Sequence, residues 1–369
     1  MTAAYISPPL RTWRPMVVWT CLLVAGLALG AMVVFLCTTV LSVNRSLEGN
    51  VDLGDGNWSQ GEEVVKELGG QGRAARKLGL YLAMPEKVAP RKAEAALALG
   101  CCGRHGVPAL CRALGSANED TRGFAAGSLT HLGPEATDAV PALIQALRNH
   151  KDEWAVEALG AIGPAASSAT DVLLETCREA DPGVRSAAVA ALGSIGADAD
   201  RAVPALCAAL KDDDDLVRLN AACSLGEYGA AAAKAVPALT AALQDSRPDV
   251  KSAAALALGH IGRAARGSVP ALEKLMRHYE VGYAAAAALA RICAPDNRKY
   301  VEALAGIAGD KRRGGSRLEA IAELGELGKM AAAAVPHLTR IAGDRREDEL
   351  YRDAAAEALK KIRGEESKP

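Results

Sequence analysis

A short phrase, Val-Pro-Ala-Leu, returns along most of the chain at a fixed period, and that period restricts the architecture more than any other feature. It stands at Val107-Pro108-Ala109-Leu110, Val140-Pro141-Ala142-Leu143, Val203-Pro204-Ala205-Leu206, Val236-Pro237-Ala238-Leu239 and Val269-Pro270-Ala271-Leu272, with an altered copy at Val335-Pro336-His337-Leu338. Successive prolines are 33, 63, 33, 33 and 66 residues apart. A period near 33 means a repeat array, in which each repeat buries its apolar face against its neighbours. A chain of 369 residues built this way needs no single large core.

The repeat over residues 181–210 shows the local logic. Asp181 suits a helix N-cap and Pro182 the first turn, and Val184, Ala188, Ala191, Leu192 and Ile195 recur at helical spacing. Gly196 ends the helix, because glycine adopts the left-handed conformation cheaply. A second helix is expected to begin around Ala202-Val203-Pro204 and to bury Val203, Leu206 and Leu210. Leu192-Gly193-x-Ile195-Gly196 recurs as Leu159-Gly160-Ala161-Ile162-Gly163 and Leu258-Gly259-His260-Ile261-Gly262. A glycine inside a helix costs about 1 kcal/mol against alanine. Its recurrence therefore predicts close helix contact at that point.

Asp-Pro-x-Val-Arg, followed by Ala-Ala-x-x-Ala-Leu-Gly-x-Ile-Gly and Ala-Val-Pro-Ala-Leu, resembles the HEAT-repeat family, in particular the short subclass named for phycobilisome lyases. The resemblance covers roughly residues 72–362, about eight repeats, with residues 72–100 and 300–362 fitting poorly, as expected of caps that face water. It implies an all-α fold, an α-solenoid of antiparallel helix pairs. Ankyrin repeats share the period but open on Thr-Pro-Leu-His, which is absent.

Between Arg14 and Arg45 there is no charged residue, and residues 16–41 form an almost unbroken apolar run. At about 1.5 Å per residue such a helix would cross a hydrocarbon layer of about 30 Å, so one N-terminal transmembrane helix is expected. Arg11 and Arg14 precede it and only Arg45 closely follows it. That asymmetry predicts a single-pass protein with its N-terminus in the cytoplasm and the solenoid on the extracytoplasmic side. Gly26 and Gly30 offer a small-residue face for pairing two such helices in a homodimer, and residues 16–41 would contact the lipid bilayer. The expected organisation is a short N-terminal segment over 1–15, the span over 16–41, a Gly/Asn/Asp-rich tether over 42–61, the solenoid over 62–363 and a tail over 364–369.

Aromatic residues make up only 4% of the chain, so helix packing must rest on Ala, Leu and Val. Forty-three basic residues against 44 acidic ones leave no cationic excess, which argues against nucleic-acid partners. Nine irregularly spaced cysteines do not form a disulfide framework. Most read as core thiols, with Cys101-Cys102 the one pair open to redox chemistry.

Arg122, Arg185, Arg218 and Lys251 share one register and are expected to form a basic ladder, either bridging repeats or meeting an acidic partner. Asn118, Asp181 and Asp214 make a polar row before it. Phe124 and Trp154 share another register, as gap-fillers or as anchors for a protein partner. Asp212-Asp213-Asp214-Asp215 is read as a helix cap, and Lys311-Arg312-Arg313 with Arg317 as a solvated turn.

Enzymes similar to this array include phycobilin lyase subunits and deoxyhypusine hydroxylase, whose di-iron site rests on His-Glu pairs. None of His105, His131, His150, His260, His278 and His337 is followed by Glu, and no phosphate-binding loop or nucleophile elbow is present. No catalytic residue, metal or cofactor is therefore expected. The sequence points to a membrane-anchored protein-interaction scaffold, with a lyase-like or hydroxylase-like enzyme and a structural spacer as alternatives.

Overall fold

The computed structural model describes residues 35–47, 58–85, 91–179, 181–196 and 198–365, and every regular element among them is helical. The chain divides into two compact units, Met1–Leu129 and Thr130–Pro369.

In the N-terminal unit, α1 covers residues 35–47, followed by α2 (Trp58–Glu67), α3 (Gln71–Ala83), α4 (Lys92–Gly100), α5 (Val107–Ala113) and most of α6 (Glu119–Leu132). Val43 and Leu47 are fully buried, the Tyr81 hydroxyl donates to Asn44 Oδ1 at 2.5 Å, and Arg91 Nη1 donates to the Leu47 carbonyl at 2.7 Å. Residues 42–47, expected as part of a tether, are thus helical and packed.

These contacts bear on the membrane expectation, which needs correction. Residues 16–34 of the expected span, including Gly26 and Gly30, lie outside the described residues. The remainder, 35–41, opens α1, whose described length at 1.5 Å per residue gives about 20 Å against the ~30 Å of a hydrocarbon layer. No helix among the described residues is long and apolar enough to cross a membrane. The single-pass localisation, with its cytoplasmic N-terminus and extracytoplasmic solenoid, is therefore not upheld. The buried apolar residues of α1, Val43 and Leu47, lie past the end of the expected span, whereas Phe35 and Leu41 within it are 57% and 66% exposed.

The C-terminal unit contains α7 (Val140–His150), α8 (Glu153–Ile162), α9 (Thr170–Thr176), α10 (Pro182–Ile195), α11 (Ala199–Ala209), α12 (Asp215–Glu227), α13 (Val236–Ala242), α14 (Pro248–Ile261), α15 (Val269–Leu275), α16 (Gly282–Ile292), α17 (Arg298–Gly309), α18 (Gly315–Glu326), α19 (Val335–Gly343) and α20 (Glu349–Arg363). The even-numbered helices from α8 onward are the first helices of successive repeats and stack on one another; the odd-numbered ones are the second helices. Val-Pro opens α7, α13, α15 and α19, with proline in the first turn where no helical N–H is lost. The repeat of α10 and α11 differs: its second helix begins at Ala199, earlier than expected, and Pro204 lies inside it.

Two glycines per repeat have separate jobs. The second, as at Gly196 with φ 63°, takes the left-handed conformation that ends the first helix. The first lets the next repeat approach. A Cβ at Gly259 would stand 2.8 Å from Ala288 Cα, and one at Gly193 2.7 Å from Ser224 Cβ. The close contact predicted from the recurring glycine is present, and small residues dominate the core it creates. In α16, Ala284 through Ala288 are fully buried. Tyr300 to Ile362 is more regular than a cap, since a Cβ at Gly325 would meet Ala358 Cα at 3.2 Å in the same glycine contact.

Candidate functional site: the face of the first helices

The basic ladder is part of the array's joinery. Arg185 on α10 makes a two-pronged pair with Asp212, Nε to Oδ2 at 3.0 Å and Nη2 to Oδ1 at 2.8 Å, and its Nη1 donates to the Glu179 carbonyl at 2.8 Å. Arg218 on α12 repeats the device one repeat on, with Asp245 at 2.8 and 3.2 Å and the Asp212 carbonyl at 2.8 Å. Each guanidinium therefore ties the loop before its own helix to the loop before the next first helix. Such planar forks suit a carboxylate better than a lysine would. The Arg185 hydrogen bonds hold the Asp212 carboxyl below the usual carboxylate range. In the N-terminal unit, Arg122 Nη1 donates to the carbonyls of Ser116 and Ala117 at 3.1 and 3.3 Å. Lys251 on α14 is half-buried and has no carboxylate partner among the described residues.

Arg317 belongs to this ladder, seven residues before Leu324 as Arg218 is before Leu225. Its reading as part of a solvated turn is corrected by its burial on α18 at 3% exposure. Nη1 and Nη2 meet Glu347 at 2.9 and 2.6 Å, Nε donates to the Ala308 carbonyl at 2.7 Å, and the guanidinium lies over the Tyr351 ring at 4.3 Å. The register was hidden because the intervening first helix, α16, places Gly282 at this position.

The acidic run is accounted for in the same way. Asp214 Oδ1 accepts from the Leu216 and Val217 amides, Asp212 holds Arg185, and Asp215 pairs with Arg247 at 3.1 Å. Asp181 and Asn118 cap α10 and α6, accepting from Gly183 and Thr121 amides at 2.8 and 2.9 Å. These side chains stabilise helix starts rather than gather a cation.

Trp154, in the first turn of α8, is 39% exposed. Its register continues as Ala187 on α10 and Asn220 on α12. Those two residues, with Glu153, Glu157, Ala190 and Leu216, line a shallow furrow of about 400 Å3 across the three helices. Leu216 stands 51% exposed. Burial and the neighbouring Glu153 push the Glu157 carboxyl up. The furrow has a floor of small side chains and an acidic rim, and Trp154 stands next in sequence to its lining residue Glu153; Phe124, in the N-terminal unit, is half-buried.

Cys101, Cys102 and Cys177 are not poised for thiol chemistry. Burial pushes the Cys102 and Cys177 thiols up to about 12 and Cys101 to about 11, and Cys102 Sγ donates to the Ala98 carbonyl at 3.6 Å. Because only the thiolate attacks an alkylating reagent, iodoacetamide at pH 8 should label Cys102 and Cys177 at least about a hundredfold more slowly than a free thiol. Peptide mass spectrometry of timed samples checks this, and labelling of either residue at the rate of free cysteine would contradict it. Among the described residues no group of three or more His, Cys, Asp or Glu side chains is placed to hold a metal ion.

Stacked antiparallel helix pairs, joined by repeated glycine contacts and arginine ties, define an α-helical repeat array. A profile for HEAT repeats matches residues 107–193, 153–226, 170–259, 203–290 and 236–317, which together span more than half of the chain. The chain belongs to the HEAT-repeat family. Similar structures include the complex of CpcE and CpcF of phycocyanin lyase from Nostoc sp. PCC7120, at 23% identity and TM-score 0.42 over 69% of this chain and 94% of that one. Others are a homology model of the full-length AP-3 complex in an intermediate open conformation (14%, TM-score 0.51, 74% and 55%) and Kap121p bound to Ste12p (13%, TM-score 0.52, 79% and 38%). This chain thus spans about half of the AP-3 chain and under two fifths of Kap121p, and likeness at these identities shows the fold alone. No curated protein matches the chain.

Proposed function

We propose that the protein is an interaction scaffold whose C-terminal unit holds a protein partner on the face of its first helices, with Trp154 as the anchor. The observation that carries this reading is Trp154, 39% exposed and next in sequence to Glu153 of a furrow of small side chains that Leu216, 51% exposed, also lines. Large aromatic side chains at the centre of a contact dominate binding energies, while small neighbours let a partner approach closely. Lys251, without a carboxylate partner among the described residues, is a candidate charged contact on the same run of helices. Arg185 and Arg218 serve it indirectly by fixing the spacing of α10, α12 and the loops between them. Phe124 and Arg122 are proposed as the corresponding positions on the N-terminal unit. The AP-3 complex and Kap121p bound to Ste12p are protein assemblies built on similar folds, which supports a protein as the ligand class.

Trp154→Ala is expected to weaken such an interaction by about 2 kcal/mol or more, roughly thirtyfold, with a smaller loss in melting than a fully buried tryptophan would give, because the ring is 39% exposed. Affinity purification of the tagged chain with quantitative mass spectrometry, followed by calorimetry on the partner found, provides the measurement. A stoichiometric partner retained undiminished by the Trp154 variant would overturn the reading.

A further inference from the structure

The N-terminal unit carries a second surface of different chemistry. A cavity of about 960 Å3 opens between α1, α3 and α5, lined by Arg73, Arg76 and Lys77 from α3, Arg112 from α5, and the apolar side chains of Phe35 and Leu80. No carboxylate among the described residues lines it. Arg73, Arg76 and Arg112 are exposed, and Phe35 and Leu80 are 57% and 38% exposed. The floor is tight: a Cβ at Gly79 would stand 3.1 Å from Ala109 Cβ and 3.4 Å from an Arg112 guanidinium nitrogen. The glycine thus lets α5 lie against α3 and brings Arg112 over the groove.

The contrast with the ladder gives this groove its meaning. Arg185, Arg218 and Arg317 each hold a carboxylate of the next repeat. Arg73, Arg76, Lys77 and Arg112 hold none among the described residues, although they converge on one cavity. Like charges three and four residues apart on a helix repel one another, and a nearby anion relieves that repulsion. Positions 73, 76, 77 and 80 lie along one face of α3, so the cations and Leu80 run as a strip facing Arg112 rather than as a single point of charge.

We propose that this groove docks an acidic amphipathic helix of a partner protein, whose carboxylates meet the four cations and whose apolar edge rests on Phe35 and Leu80. A helix laid in a groove presents anchors at the spacing this strip offers, and the charge complementarity is favourable because no acid lines the cavity among the described residues. The groove shares no residue with the furrow beside Trp154, so either proposal can fail without the other.

The test uses the full-length chain and a fluorescein-labelled helical peptide with Glu along one face and Leu and Phe at i, i+4 spacing on its edge. A shuffled peptide of the same composition and vesicles of mixed phosphatidylserine and phosphatidylcholine are the competing probes. Saturable binding of the ordered peptide is expected, weakening with salt, with Arg76→Glu/Arg112→Glu lowering affinity at least about tenfold. The milder Arg76→Gln/Arg112→Gln, checked by circular dichroism for an intact fold, should give an intermediate loss. Equal binding of the shuffled peptide, indifference to both double variants, no binding of the ordered peptide, or binding to the anionic vesicles alone would each overturn the proposal.

Discussion

Replacing Arg317 by alanine should destabilise the C-terminal unit by about 3–5 kcal/mol, measured by urea denaturation. The size follows from what would be left behind. Arg317 and Glu347 are 4% and 7% exposed at their side chains, so removing the guanidinium leaves the buried carboxylate to Lys311 alone, whose Nζ is 3.2 Å away, and the Ala308 carbonyl without its donor. Replacing both partners with apolar residues, Arg317→Met with Glu347→Leu, should recover a large part of the loss, because no uncompensated charge then remains. The pair also sets an acid sensitivity. Hydrogen bonds from Arg317, with Lys311 nearby, hold the Glu347 carboxyl down to about 2 from an ordinary value of 4.5. A carboxyl with a lowered folded-state pKa contributes its stabilisation fully above the ordinary value and loses it as pH falls towards 2. The slope of stability against pH in that window should therefore flatten in the Arg317 variants. An Arg317→Ala protein with unchanged urea midpoint and unchanged acid unfolding would refute this role.

The second large effect is expected at Gly259. Its missing side chain is where α14 meets α16, and a Cβ there would stand 2.8 Å from the Ala288 backbone, which has no flexible end to move aside. Gly259→Leu should cost about 2–3 kcal/mol through overpacking, despite the better helix propensity of leucine. Gly306 on α17 is the informative contrast: nothing lies within 4 Å of its Cβ position. Gly306→Ala should stabilise by about 0.5–1 kcal/mol. Thermal melts of the two variants side by side decide the matter, and similar shifts of the same sign would show that close approach is not what the repeating glycine provides.

The array was legible because its physics is periodic. Val-Pro at the start of second helices, Gly at the contact and Gly at the turn each solve one local problem, and the same problem returns every repeat. Ladder membership was legible for Arg185 and Arg218, whose neighbours keep strict register, and lost for Arg317, because α16 breaks the pattern with Gly282. The apolar run near the N-terminus did not translate into a described span: its described part, residues 35–41, belongs to the short helix α1, whose buried apolar residues, Val43 and Leu47, lie beyond the run. The cationic groove could not be read from one segment, because Arg112 joins α3 only through the packing of α5. The strip at 73, 76, 77 and 80 was the available signal, and it lay in the repeat that matched the pattern least.

The most direct test of the scaffold reading is site-specific photo-crosslinking in cells, with benzoylphenylalanine placed at Ala190 in the furrow and, as a separate variant, at the exposed Ala241 on α13. One polypeptide captured from Ala190, absent from Ala241 and lost when Trp154→Ala is added, is the result the account predicts. Capture from Ala241 alone, or capture at Ala190 that persists without Trp154, would contradict it.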